Sequence, residues 1–351
     1  MEFPDLIVAG AGGPKMQALA GNRLRNWVED AAVMGFWEVL KHYGWFKAKF
    51  DEMLREIVEL QPEVLLLIDY PGYNLRFAKA VRANLPKTRI IYYISPQVWA
   101  WNRGRIPSMA RCLDEMMCLF PFEVELFSAA GLKTSCVGHP LIDELQLAKE
   151  NGARESDLVG LFPGSREREV SRLFSPMLEA VVMLIKQGAN LRFEAAAASE
   201  RLAKYMENLV KQYGLEKHVT ISVGKSHSLM QRASCGVVAS GTATLEAAYF
   251  GLPYGLVYKV AWPTYFLGRM LIKVPFIGLV NIIAQRQVVS EWIQSDASAS
   301  NLAFAIKRWI DHPEEANQLS HELRSVAEML GGAGAHARAA GVVANWLKEN
   351  H

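Results

Sequence analysis

The sequence predicts an α/β chain of two doubly wound halves, each built on a parallel sheet. Three observations carry this. Short apolar runs alternate with longer amphipathic ones through most of the chain, as in strand–helix units with parallel strands. The length of 351 residues suits two domains. Twice, small residues carry an apolar run into a helical one, at 161–170 and at 240–246, and open α/β sheets place their ligands at such carboxyl-end turns. The polar stretch 148–157, with Asn151-Gly152 as a turn signal, reads as the linker. It divides residues 1–150 from residues 151–351.

The chain is 51% hydrophobic and 21% charged, enough apolar material for two cores. A formal net charge of +2 does not point to a nucleic-acid binder. Cys112, Cys118, Cys136 and Cys235 match neither a zinc pattern nor a secreted disulfide framework, so a reducing cytoplasm is expected. The first residues show no secretory signal, and no apolar run has the ~18 residues of a membrane span.

In the first half, 5–10 reads as a short apolar strand and 11–16 as a Gly-rich turn. Its glycines do not fit G-x-G-x-x-G. Residues 30–60 read as helical, with aromatics on most faces and lysines among them. That mixture suits a membrane interface through Phe36, Trp37, Leu40, Trp45 and Phe46, or a core helix with snorkelling lysines. The run 64–68 is a buried strand ending at Asp69, which is either a functional carboxylate or the cap of the next helix. The strand 89–94 ends in Ser95-Pro96-Gln97-Val98-Trp99-Ala100-Trp101, a binding wall or a packing corner. Strands at 115–120 and 133–137 complete this half.

The second half repeats the alternation, with strands at 158–162, 191–197, 218–223, 235–239 and 254–258. At Leu161-Phe162-Pro163-Gly164-Ser165-Arg166, a strand meets a helix start, where unpaired N–H groups and the helix dipole favour an anion. Gly164 permits close backbone approach, Ser165 offers a hydroxyl and Arg166 can fork onto phosphate oxygens. The same residues would also serve an ordinary turn with a solvated arginine. Ser240-Gly241-Thr242-Ala243-Thr244-Leu245-Glu246 is a second loop of this type. Glu246 lies one helical turn beyond Thr242, placed either to accept ribose hydroxyls or to cap the helix. The aromatic and basic stretch 259–283 looks like a second interfacial surface, and 300–350 reads as helical.

These two loops in two such halves suggest a glycosyltransferase of the GT-B fold, with two Rossmann-like domains facing a cleft. More closely, the chain resembles the lipid-A-disaccharide synthase family. The resemblance rests on Gly13-Pro14-Lys15-Met16, Ala32-Val33-Met34-Gly35, Ile68-Asp69-Tyr70-Pro71-Gly72-Tyr73-Asn74 and Tyr93-Ile94-Ser95-Pro96-Gln97-Val98-Trp99-Ala100-Trp101. It continues through Phe120-Pro121-Phe122-Glu123, Val137-Gly138-His139-Pro140-Leu141, both small-residue loops, Val280-Asn281 and Val289-Ser290-Glu291-Trp292-Ile293-Gln294. Each stretch is weak alone; the ordered set is specific. Two departures stand out. The family's first strand and its Gly-Glu-x-Ser-Gly-Asp loop have no counterpart, so the N-terminal domain should lack its central strand and leave its neighbours' edges open. Gly72 stands where many relatives carry Asp, leaving Asp69 as the loop's one carboxylate.

The resemblance implies an inverting transfer that joins UDP-2,3-diacylglucosamine to 2,3-diacylglucosamine 1-phosphate, giving a β-1,6-linked lipid A disaccharide and UDP. It implies that Asp69 is the base, tuned by burial or hydrogen bonding. Gly164, Ser165, Arg166, Ser240, Gly241 and Thr242 would hold the diphosphate, Glu246 the ribose, and Asn281 and Gln285 further parts of the donor. Asn74, Ser95 and Gln97 would line the acceptor side. There is no Asp-x-Asp, so neither a metal nor another cofactor is expected. The acylated substrates imply a cytoplasmic protein held peripherally at the inner membrane, and a homodimer is compatible with the family. The rival readings are another UDP-sugar GT-B enzyme (a UDP-N-acetylglucosamine 2-epimerase or a lipid-linked sugar transferase) and a non-catalytic UDP- or lipid-binding relative.

Overall fold

The computed structural model describes residues 3, 5–26, 43–271 and 274–349. Its strands are β1 (Gly10–Gly12), β2 (Leu24–Asn26), β3 (Val64–Ile68), β4 (Arg89–Tyr93), β5 (Glu115–Cys118), β6 (Lys133–Cys136), β7 (Glu155–Phe162), β8 (Arg192–Ala197), β9 (Val219–Val223), β10 (Ala233–Ala239), β11 (Tyr254–Tyr258) and β12 (Glu291–Ile293). Every pairing is parallel.

The second half forms a six-stranded sheet in the order β12-β11-β10-β7-β8-β9. This is a doubly wound order whose direction of winding reverses between β7 and β10, and the crevice there is the place such sheets offer a ligand. Helices Glu167–Lys186, Glu200–Gln212 and Ala299–Asp311 close one core. Helices Ser226–Arg232, Ala243–Tyr249, Leu279–Ala284 and Pro313–Glu328 cover the other face. Both faces are covered, so β7 and β10 read as continuous apolar runs.

The first half is less complete. β3-β4-β5-β6 make a four-stranded sheet, and β1 and β2 pair separately. Among the described residues nothing pairs with the outer edge of β3. The strand expected at 5–10 begins only at Gly10; Leu6, Ile7 and Val8 are half exposed and pair with no strand. Apolar side chains alone do not make a strand without a neighbour to take the ladder. Of the expected helix at 30–60, the described part is Tyr43–Leu60. Phe50, Met53, Leu54 and Ile57, at helical spacing, pack into the core against Tyr73 and Phe77. Phe36, Trp37 and Leu40 lie outside the described residues, and Trp45 and Phe46 fall in the first turn of this helix.

The chain's last helix reaches back to the first half. Helix Ala335–Lys348 lies across β3 and β4. Its Trp346 Nε1 donates to buried Glu115 at 2.6 Å, with the Lys133 ammonium over the indole at 4.4 Å. Arg338 Nε donates to the Val137 carbonyl at 2.8 Å, and His336 packs edge-on against Tyr93. The hydrophobic strip Ala339, Val342, Val343 and Trp346 packs on the sheet face that carries Ile91, Tyr93 and Met117. At the linker, Arg154 donates to the carbonyls of Met230, Gln231, Ala233 and Phe250. Burial brings its pKa down to about 10.

Candidate active site

The donor-side loops meet at the switch point. β7 runs into Pro163-Gly164-Ser165-Arg166 and then helix Glu167–Lys186; β10 runs into Ser240-Gly241-Thr242 and then helix Ala243–Tyr249. Since β7 and β10 are neighbours, the two turns sit side by side at one edge of the sheet. A cleft of about 380 Å³ opens there, lined by Arg166, Arg168, Arg172, Lys259, Ser240 and Tyr258 among others. Four cationic side chains face one carboxylate, Glu169. Such a cleft suits a polyanion such as a diphosphate.

The Glu169 carboxylate reaches back to the helix start. Its Oε2 accepts from the Ser165 and Arg166 amides at 3.2 and 3.3 Å, and its Oε1 lies 3.6 Å from Arg166 Nη1. An acid at N3 reaching back to the cap satisfies orphan donors. Gly164, at φ +110°, lets this carboxylate in, since a Cβ there would run into it. Behind the cleft, the side-chain amide of Gln294 pairs with both backbone groups of Val260, at 2.8 and 3.1 Å, and so fixes the segment carrying Lys259.

Glu246 projects from the second helix start, largely buried, with Oε2 at 3.1 Å from His227 Nε2. His227 lies in the first turn of helix Ser226–Arg232, after β9, and packs on Phe250. The structure gives Asn281 a different place from the expected donor contact. It is fully buried; its amide donates to Val289 O and Glu291 Oε1, and its carbonyl accepts from the amides of Val288 and Val289. Every polar atom is engaged within the protein, so Asn281 braces the 277–291 segment rather than touching a ligand. Gln285, exposed at φ +53°, ends the same helix and faces a separate cavity.

On the other side, Asp69 and Tyr70 at the end of β3, and Ile94 at the end of β4, all have positive φ near 46–68°. A β-branched residue there is strained, and such strain gathers where geometry must be held. The Asp69 turn is pinned through its backbone. Its amide donates to Tyr93 O, and its carbonyl accepts from buried Tyr92 and from Asn74 Nδ2 at 2.8 Å. The burial or hydrogen bonding expected of the Asp69 carboxylate is not what the structure shows: Asp69 is exposed, and among the described residues its carboxylate takes no hydrogen bond. Asn74 directs its amide donors to Ile68 O and Asp69 O, so it positions this turn.

Ser95 is buried beside Glu123, with no hydrogen-bond geometry for its hydroxyl, while Gln97 is exposed. Glu123 itself is 1% exposed and accepts from Trp99 Nε1 at 2.9 Å and from the Leu119 and Phe120 amides. Burial raises its pKa, opposed by these donors and by the nearby Ser95 hydroxyl. It therefore ties the Trp99 loop to the end of β5. The signal was present, since Pro121 followed by Glu123 is a helix start with its acid at N3. Arg168, Arg172 and Lys259 gave no comparable signal, because only folding aims them at one cleft.

Comparison with known proteins joins these observations. Residues 1–340 match the family model described as lipid-A-disaccharide synthetase. The chain belongs to the lipid-A-disaccharide synthase family. The protein named lipid-A-disaccharide synthase of Geobacter sulfurreducens is 38% identical over 352 residues, covering 98% of this chain and 90% of its own length. That of Trichlorobacter lovleyi is also 38% identical, covering 99% and 91%. Among solved structures, the Neisseria meningitidis UDP-GlcNAc 2-epimerase bound to UDP-GlcNAc superposes with a TM-score of 0.56 at 10% identity, covering 97% of this chain and 98% of the epimerase. That likeness shows the shared GT-B fold alone. Sequence kinship separates this glycosyltransferase from the epimerases. Among the described residues of this family member, no helix is long and apolar enough to cross a membrane.

Proposed function

We propose that the protein transfers a 2,3-diacylglucosamine unit from UDP to the 6-hydroxyl of 2,3-diacylglucosamine 1-phosphate, with inversion, giving the β-1,6-linked disaccharide and UDP. One observation carries the assignment of roles: a four-cation cleft at the switch point and a pinned turn bearing a free carboxylate occur in a single family member. In this reading Asp69 accepts the proton of the attacking hydroxyl. As the new carbon–oxygen bond forms, the bond to the diphosphate breaks and its electron pair leaves with UDP. Arg166, Arg168, Arg172 and Lys259 stabilise the charge that develops there, and the amides and hydroxyls of the two loops orient the diphosphate. Glu246, held by His227, takes the ribose.

Disaccharide formation read by mass spectrometry tests this. Wild type should make product; Asp69→Ala should lower turnover by about 10³-fold while still binding UDP. Retained turnover removes Asp69 from the role of base.

We also propose peripheral docking on the inner membrane from the cytoplasmic side, through Phe36, Trp37, Leu40, Trp45 and Phe46. Support comes from a second place, helix Trp262–Leu271, where Trp262, Phe266 and Met270 form a stripe 55%, 61% and 82% exposed. An apolar stripe with Arg269 beside it suits an anionic lipid surface. Replacing Trp37, Trp45, Trp262 and Phe266 together by Ser should abolish sedimentation with anionic vesicles; undiminished sedimentation refutes the docking. A homodimer belongs to the same proposal and rests on the family alone.

A further inference from the structure

A second cavity, distinct from the cationic cleft, lies between the halves and encloses about 590 Å³. One wall is helix Pro121–Ser128 and its end, presenting Phe122, Leu126 and Ala129 at intervals of four and three residues. These fall on one helical face, while Glu123 and Phe127 turn into the core. The opposite wall comes from the second half, with Val274, Phe276 and Ile282. Trp99 joins the lining, fixed by its bond to Glu123. The volume falls within the ~300–1,000 Å³ of small-molecule sites, and such sites are mostly apolar with few polar groups.

The polar groups are informative. Arg103 and Gln285 line the cavity beside Glu125. The Arg103 guanidinium makes one long bond, from Nε to Trp99 O at 3.4 Å, and among the described residues it has no ion pair. An apolar chamber with an unpaired cation fits an amphiphile whose chain enters and whose head group carries an anion. The exposed stripe of Trp262, Phe266 and Met270 lies a few residues before Val274 and Phe276 in the sequence.

We propose that this cavity holds an acyl chain of the acceptor, with Arg103 on the acceptor's phosphate. The inference rests on the synthase reading above and adds a chain-binding subsite to it. Ala129, at the exposed end of its helix, is the position at which a larger side chain fills the chamber with least disturbance to the core. Leu126 offers a second such position, deeper in the wall.

The test is direct binding of diacylglucosamine 1-phosphate with short or long acyl chains, by equilibrium dialysis, to wild type, Ala129→Trp, Leu126→Trp and Arg103→Ala. Wild type should bind the long-chain form more tightly. Both Trp variants should weaken long-chain binding at least about tenfold, the equivalent of about two buried methylenes, and leave the short-chain form within about twofold. Arg103→Ala should weaken both forms about tenfold, and removing the ligand's phosphate should erase that difference. Unchanged long-chain binding in both Trp variants overturns the subsite. So does an effect confined to the UDP-linked donor, which would place the donor's chain there instead. Turnover is measured alongside. Long-chain binding lost in the Trp variants, with no disaccharide from wild type, would uphold the cavity and refute the synthase reading, so the two failures are separable.

Discussion

The two halves hold their candidate residues in different ways. In the second half a complete six-stranded sheet, covered on both faces, sets two loops side by side at a switch point. The candidate anion site there follows from main-chain geometry, and three of its four cations, Arg166, Arg168 and Arg172, are exposed side chains. In the first half, among the described residues, the sheet has four strands with β3 at its edge. There the Asp69 turn is left-handed, pinned by Tyr92 and Asn74, and the covering layer is completed by a helix from the chain's far end. In the second half topology positions the candidate loops; in the first, individual side chains and a helix from the chain's far end hold the Asp69 turn and its sheet.

Mutations can break this contrast. The largest effect is expected at Asp69, where Ala removes about 10³-fold in turnover and leaves UDP affinity unchanged; a parallel loss of UDP affinity would mean the halves are not separate in function. Next is Asn281→Ala. It strips a buried brace of four hydrogen bonds, leaving the Val288 and Val289 amides without their acceptor. It should cost about 3 kcal/mol of stability, read as a lowered urea midpoint; a change below about 1 kcal/mol would show the segment is held by packing alone. The smallest is Arg172→Ala, which removes one of four cations from the cleft and should raise the UDP Kd about tenfold without altering the melting temperature. A stability loss as large as that of Asn281→Ala would mean the cationic wall is part of the fold.

Much of this was legible in the residues. Short apolar runs between amphipathic stretches located β3 to β11 to within a few residues. The small-residue turns after β7 and β10 were visible because only such residues allow a close approach of backbone to ligand at a helix start. Asp69 stood out as the carboxylate at the end of a buried strand. Other features were not legible. Asn281 looked like a donor contact, because a polar side chain on an apolar helix does not reveal whether its partner is a ligand or the chain's own backbone. The strand expected at 5–10 failed because pairing is a property of neighbours.

The sequence by itself determined the alternation of elements, the two loop chemistries and the kinship, since these depend on contacts within about one turn of chain. Tertiary structure alone decided which cations converge on the cleft and that Trp346 and Arg338 serve the opposite half. It also decided that Phe122, Leu126 and Phe276 enclose one chamber. These are meetings of residues far apart in the chain, and local propensity carries no term for them; they exist only once burial of both sheets has fixed where each surface faces.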